Sequence, residues 1–285
     1  MDVVKLGGSV LTNKREAGAG PVFRTAVARR LLREVKASGR RVVLVTGAGS
    51  FGHVLAEKYG LARGFREDSQ WNGFVEVARD VRRLNLMVLD EALKAGIRAI
   101  SVPPSVCALQ KAGELHYLDV GVFRRYLEQG LTPVTFGDVC LDLSEMRFSI
   151  CSGDALTRYL SKELGAVRAI FVSDVDGIMV GEGRLAEEFG EEDIGRIAPA
   201  VPGRLSAANG RRSGKGGRAQ ERPFVQRPAG KGVADVTGGI REKARLALEM
   251  ARAGTEVVIL NGLKSGRLLE ALKGGRPLGT WFRVR

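Results

Sequence analysis

Glycine-rich turns bring backbone N–H groups close to an anion, and lysines neutralise its charge; this sequence pairs the two repeatedly. Lys5-Leu6-Gly7-Gly8-Ser9 closes a short β-rich run, and Lys14 lies nine residues beyond Lys5. Adjacent glycines let main-chain amides approach a phosphate, and Lys14 reaches the same anion if the loop folds back. A tight strand-to-helix turn flanked by surface lysines has the same letters. The segment is neither the GxxxxGK[ST] phosphate loop nor GxGxxG. A second segment, Gly47-Ala48-Gly49-Ser50-Phe51-Gly52-His53, follows the apolar run at 41–46 and opens a helix. Helix N-termini favour phosphate, and this placement puts His53 in the first helical turn, facing the ligand. That context separates His53 from His116, the other histidine. Ser152-Gly153-Asp154 also leads into a helix; Asp154 is either a helix-start acid or a partner for a lysine. Ser173-Asp174-Val175-Asp176-Gly177 follows an apolar run and reads as a turn or as a ligand loop at the C-terminal end of a parallel strand.

These loops need a scaffold, and the hydrophobic pattern supplies one. Residues 25–37 carry Ala26, Leu31, Leu32 and Val35 at helical spacing, ended by Gly39. Residues 41–46 form a continuous apolar strand of the kind buried on both faces of a parallel sheet. The pattern predicts a loop at 47–52 and a helix at 54–59. A long helix follows at 72–95, with Phe74, Val77, Ala78, Val81, Leu84, Val88 and Leu89 as its stripe. Further strands are expected at 99–102, 132–136, 167–173 and 257–260, and helices at 120–129, 155–164, 240–252 and 267–273. Residues 141–149 read as a hairpin and 280–284 as an edge strand. Repeated strand–helix–strand units predict an α/β fold, a three-layer αβα sandwich around a mostly parallel sheet.

A chain of 285 residues suits one large α/β domain or two smaller ones. The formal net charge of +13 attracts nucleic acid, anionic membranes or phosphorylated small molecules. Residues 203–232 hold eight basic residues and one acid, Glu221, so they supply seven of the excess charges. That segment has little apolar content and reads as a flexible insertion. Its single aromatic, Phe224, does not interleave the basic residues as base stacking requires, which argues against a nucleic-acid partner. Cys107, Cys140 and Cys151 are odd in number and form no CxxC pair, which predicts reduced thiols without a zinc site. No apolar run approaches the ~20 residues of a membrane span, and the N-terminus lacks a signal-peptide layout. Cytoplasmic localisation is the expectation.

The ordered set KLGGS with Lys14, GAGSFGHxxAxxY at 47–59, SGD, SDVDG, and Asp235-Val236-Thr237-Gly238-Gly239-Ile240 with Lys243 resembles the amino acid kinase superfamily. Within it the chain is similar to the isopentenyl phosphate kinases. The resemblance implies transfer of the ATP γ-phosphoryl group to isopentenyl phosphate, in an archaeal-type mevalonate route. It implies an acceptor lobe at 1–165, a nucleotide lobe at 166–285 and a homodimer. Lys5, Leu6, Gly7, Gly8 and Ser9 match the ATP-phosphate loop, and Lys14 the lysine that stabilises the transition state. Ala48, His53 and Gly153 match acceptor positions, Gly49 a phosphate contact and Asp154 the acid that organises the lysines. Asp174, Gly239 and Lys243 match nucleotide positions. Mg²⁺ would travel with ATP, with no protein metal site assigned. Phe74, Val77 and Val81 read either as a greasy pocket for the acceptor tail or as ordinary core. Acetylglutamate, glutamate, uridylate, carbamate and fosfomycin kinases of the superfamily remain as alternatives.

Overall fold

A computed structural model describes residues 1–13, 20–198 and 239–284. The first part of the chain runs β1 (Asp2–Leu6), α1 (Gly8–Leu11), α2 (Thr25–Ser38), β2 (Val42–Thr46), α3 (Gly49–Lys58) and α4 (Ser69–Lys94). It continues through β3 (Ala99–Ser101), α5 (Pro104–Cys107), β4 (Ala108–Lys111), β5 (Glu114–Leu118), α6 (Val120–Glu128) and β6 (Thr132–Phe136). Then come β7 (Asp138–Leu141), β8 (Phe148–Cys151), α7 (Gly153–Glu163) and β9 (Arg168–Ser173). Short strands β10 (Met179–Val180), β11 (Arg184–Leu185) and β12 (Glu188–Phe189) follow. The described chain ends with α8 (Gly239–Arg252), β13 (Glu256–Asn261), α9 (Arg267–Leu272) and β14 (Gly279–Phe282).

Among the described residues, eight strands form one sheet in the order β12-β14-β13-β9-β1-β2-β6-β3. All neighbours are parallel except β13 and β14. Alternation along each central strand splits its side chains between two helical layers. Val4, Leu6, Val42 and Leu44 pack with Leu31 and Leu32 of α2, Val88 of α4 and Leu272 of α9. Val3, Val43 and Val45 face the other way, onto Phe123 of α6 and Leu156 and Leu160 of α7. Phe171 and Ile259 meet Ala244, Ala247 and Leu248 of α8. This is the expected αβα sandwich.

Several boundaries differ from the sequence expectation. Helix α3 begins at Gly49, inside the segment read as a loop, so His53 lies one residue past the first turn. The last strand is internal rather than at an edge: β14 lies between β12 and β13. The hairpin read at 141–149 is β7 paired with β8, from Asp138↔Cys151 to Leu141↔Phe148. The β4–β5 hairpin has no counterpart in the sequence reading; it turns through Ala112 and Gly113, both at positive φ. Helix α2 ends where expected, with Gly39 left-handed at φ 65°. The insertion at 203–232 lies outside the described residues.

Candidate functional site

The ends of β1, β2, β6 and β9 lie at one edge of the sheet because these strands are parallel. Their glycine-rich continuations press together there. A Cβ on Gly47 would stand 2.5 Å from Gly8 N, and one on Gly8 would strike Gly49 N. A Cβ on Gly7 would lie 2.7 Å from the Val172 carbonyl oxygen. Backbones in such contact leave no room for side chains, which is why glycine occupies both loops. Gly137, just after β6, completes the junction: its Cβ would be 3.5 Å from Gly153 N and 3.6 Å from Ala48 N. Nothing in the sequence reading singled out Gly137.

Strand alternation also places the charges. Lys5 shares the face of Val3 and Val45, which packs on α7. Ser152 caps α7 by accepting a hydrogen bond from Ala155 N at 3.1 Å, so Asp154 enters the first helical turn beneath Lys5. Lys5 Nζ donates to Asp154 Oδ1 at 2.5 Å, and Lys243 Nζ of α8 donates to Asp154 Oδ2 at 3.2 Å. Asp154 is 6% exposed. Burial alone would raise its pKa, but Lys5 and Lys243 outweigh burial and hold it at about 2. One carboxylate thus binds two cations from opposite halves of the chain, 149 and 89 residues away. Gly153 beside it is close-packed: a Cβ would stand 3.1 Å from Lys5 Cε.

Ser9 Oγ donates to Asp174 Oδ1 at 2.8 Å, joining the first glycine loop to the turn after β9. Asp176, the second acid of that turn, accepts from Arg267 at 2.5 Å and Asn261 at 3.1 Å. Burial opposes ionisation of Asp176, yet these hydrogen bonds leave its pKa lowered. Asp176 therefore ties β9 to β13 and α9. Leu6 is fully buried in the core at the end of β1. Gly239 opens α8, on which Lys243 lies one turn further along. Lys14 and residues 235–238 of the motif lie outside the described residues.

Ala48, the N-cap of α3, and His53 within it are half-buried. Beside Ala48 is a compact apolar cluster. Val77 and Val81 are core there, 3% and 1% exposed, packed with Phe136, Val139 and Phe148. Phe74 is half-buried instead, against Trp71 at 5.5 Å and Phe148 at 5.7 Å between ring centroids. Of the residues read as a possible tail pocket, Phe74 is therefore the one with accessible surface. Trp71 and Phe65, which the helical stripe did not reveal, extend that half-buried face.

Among the described residues no group of three or more His, Cys, Asp or Glu is placed to hold a metal ion. The three cysteines are free thiols. No described helix is long and apolar enough to cross a membrane.

The sequence pattern of the amino acid kinase family matches residues 2–261. The chain is 32% identical to the isopentenyl phosphate kinase of Methanothermobacter thermautotrophicus over 292 residues, covering 98% of each chain. It is 36% identical to that of Thermoplasma acidophilum over 178 residues, 62% of this chain and 69% of the relative. An X-ray structure of an isopentenyl phosphate kinase superposes with a TM-score of 0.77 at 28% identity over 99% of both chains. The T. acidophilum product complex gives 0.71 at 26% identity, covering 99% of this chain and 100% of that one. An aspartate kinase from Synechocystis shares the fold alone, at 12% identity and a TM-score of 0.61.

Proposed function

The chain belongs to the amino acid kinase family and, within it, to the isopentenyl phosphate kinases, and we propose that it transfers the γ-phosphoryl group of ATP to isopentenyl phosphate. The observation that carries this reading is Asp154 holding Lys5 and Lys243 together where the glycine-rich loops meet. Two polyanions must be brought into contact there, and lysines with backbone amides perform that neutralisation.

A phosphate monoester has a second pKa of about 6 and is largely dianionic at neutral pH, so it attacks without a strong base. An acceptor oxygen forms the new bond to the γ-phosphorus as the bond to the β–γ bridging oxygen breaks, and ADP leaves with that electron pair. In this reading Lys5 and Lys243 face the nucleotide phosphates. Asp154 keeps both lysines charged and oriented, and Lys14 neutralises the transferring group. Gly7, Gly8, Ser9, Asp174 and Gly239 shape the nucleotide side. Ala48, Gly49 and Gly153 cradle the acceptor phosphate, with His53 donating a hydrogen bond to it. The half-buried face of Phe65, Trp71 and Phe74 takes the apolar tail.

Asp154 is already engaged by two lysines, and the described residues gather no metal-binding cluster. Mg²⁺ would accompany ATP as its counterion, and no residue of this chain is assigned to hold it. We assign the acceptor lobe to 1–165, whose first glycine loop also meets the ATP phosphates, and the nucleotide lobe to 166–285. A homodimer would cover Val75, Leu86 and Leu93, which α4 leaves 64%, 59% and 61% exposed. Free thiols at all three cysteines fit a reducing, cytoplasmic setting.

The test is ADP release with isopentenyl phosphate, set against fosfomycin, acetylglutamate, glutamate and uridylate, with the product identified by mass. Isopentenyl diphosphate formed at the highest kcat/KM is expected. Turnover of another acceptor with none of isopentenyl phosphate would replace the substrate assignment.

A further inference from the structure

We infer that the Thr12 hydroxyl is a positioning group that sets the separation between the nucleotide loop and the acceptor loop, an inference that rests on the function proposed above. Thr12 is 4% exposed and caps the C-terminus of α1. Its Oγ donates to the Gly8 carbonyl at 2.8 Å and accepts from Ser50 N at 3.1 Å. Gly8 belongs to the loop assigned to ATP phosphates; Ser50 follows Ala48 and Gly49 in the loop assigned to the acceptor phosphate. One hydroxyl therefore spans both loops.

The surrounding backbone is fitted to that bridge. Gly49 sits at φ 51°, and a Cβ there would strike Thr12 Oγ1. Only glycine adopts this conformation readily and also leaves space for the hydroxyl. The main chain of Thr12 pairs with Phe23 in an antiparallel bridge. Asn13 N donates to Val22 O at 3.0 Å and Arg24 N to Leu11 O at 2.7 Å. The same residue thus anchors the chain two positions before Lys14. The Gly8 carbonyl also accepts the Thr12 N–H at 2.9 Å. Removing the hydroxyl would therefore chiefly strand Ser50 N–H and release the acceptor loop.

In-line transfer needs the reacting atoms at near-contact distance, and a misplacement of about 1 Å costs on the order of a hundredfold in rate. A residue that spaces the two loops should therefore act on kcat. Thr12→Val keeps the shape and removes the hydroxyl; Thr12→Ser keeps the hydroxyl. Both full-length variants are compared with wild type by steady-state kinetics with ATP and isopentenyl phosphate, and by amide exchange at Ser50. The expected result is a kcat roughly ten- to a hundredfold lower in Thr12→Val, with both KM values near wild type. Ser50 exchange should accelerate in Thr12→Val, and Thr12→Ser should retain both properties. Wild-type kcat in Thr12→Val, or an equal loss in Thr12→Ser, would overturn the inference. Ser50 exchange does not depend on the acceptor. If wild type fails to use isopentenyl phosphate, lost protection in Thr12→Val upholds the clasp while the substrate assignment falls, and unchanged protection removes the clasp. Thr12→Ala replaces the valine variant in both measurements if that variant does not fold.

Discussion

The junction of glycine-rich loops and the cavity beside α5 and α6 are opposite kinds of opening. The cavity is roomy, about 610 Å³, and is lined by Ser101, Pro103, Cys107, Tyr117, Asp119 and Tyr126 among others. Among the described residues no lysine or arginine lines it, and Asp119 there spends its carboxylate on the amide of Gly121 at 2.9 Å. The junction is crowded, with backbones touching at Gly8, Gly47 and Gly49. It nevertheless brings Lys5 and Lys243 to one buried carboxylate. Space is easily left between surface elements, whereas converging like charges in a partly buried place needs a counter-charge fixed by the fold. Phosphoryl chemistry follows the charge and not the volume.

The heaviest blow to that contrast is Asp154→Ala. It leaves Lys5 and Lys243 facing each other with no anion between them. Breaking a buried pair in this way costs about 3–5 kcal/mol of stability, and kcat should collapse in whatever remains folded. Urea denaturation and steady-state kinetics read the two effects; a fully stable, active variant would show that the triad holds nothing together. Acid titration gives a second reading. Asp154 sits at about 2 in the folded chain, below the ordinary carboxylate value of about 3.9. Its contribution is full above the ordinary value and is lost as pH falls through the folded one. Wild type should therefore lose stability between about pH 4 and pH 2, and Asp154→Asn should lose less over that interval.

Lys14→Ala should rank next. Losing a cation that meets the transferring group lowers kcat, by about a hundred- to a thousandfold for a single donor, and leaves KM little changed. A change confined to KM would make Lys14 a binder of both ground and transition states. His53→Ala comes third, with kcat/KM for isopentenyl phosphate down roughly ten- to a hundredfold and the fold intact. Loss of a charge-assisted hydrogen bond costs about 1.5–3 kcal/mol. Wild-type kcat/KM would remove His53 from the acceptor side. Deleting 203–231 should do less. The segment holds eight basic residues against Glu221, so its removal should raise KM for ATP at low salt and have no effect once salt screens the charge. Lost kcat at every salt concentration would place the segment in the machinery.

Local signals in the sequence reached the scaffold and stopped short of the contacts. Strand β6 lies where its apolar run ends at Gly137, and α2 stops where Gly39 supplies a left-handed residue. Helix α3 escaped at its start because Gly49 and Gly52 are poor helix formers. What favours the helix there is tertiary: Gly52 packs so closely that a Cβ would lie 3.0 Å from Val81. The buried strand β14 looked like an edge because position in the chain says nothing of order in the sheet. Lys5 and Asp154 stand out by the loops they belong to, and Lys243 by resemblance to a family; their meeting spans 149 and 89 residues and leaves no local trace. Thr12 was missed for the same reason, since its partner Ser50 is 38 residues away.

The mildest variant tests the other side of the comparison. Val106 lines the cavity and is 76% exposed. Val106→Trp adds an indole at the rim, occupying volume without burying a charge or removing a hydrogen bond. Surface substitutions of this kind shift stability by no more than about 0.5 kcal/mol. If both substrates bind at the loop junction, the variant should keep the wild-type kcat and both KM values. Among the described residues, the only charge that lines the cavity is the carboxylate of Asp119, which repels polyphosphate, so ATP has no reason to enter. An apolar tail has more, because Val102, Val122 and Tyr126 also line it. KM for isopentenyl phosphate is therefore the quantity to measure. A rise in that KM alone would move the tail from the face of Phe65, Trp71 and Phe74 to this cavity, and volume would then have found what charge did not.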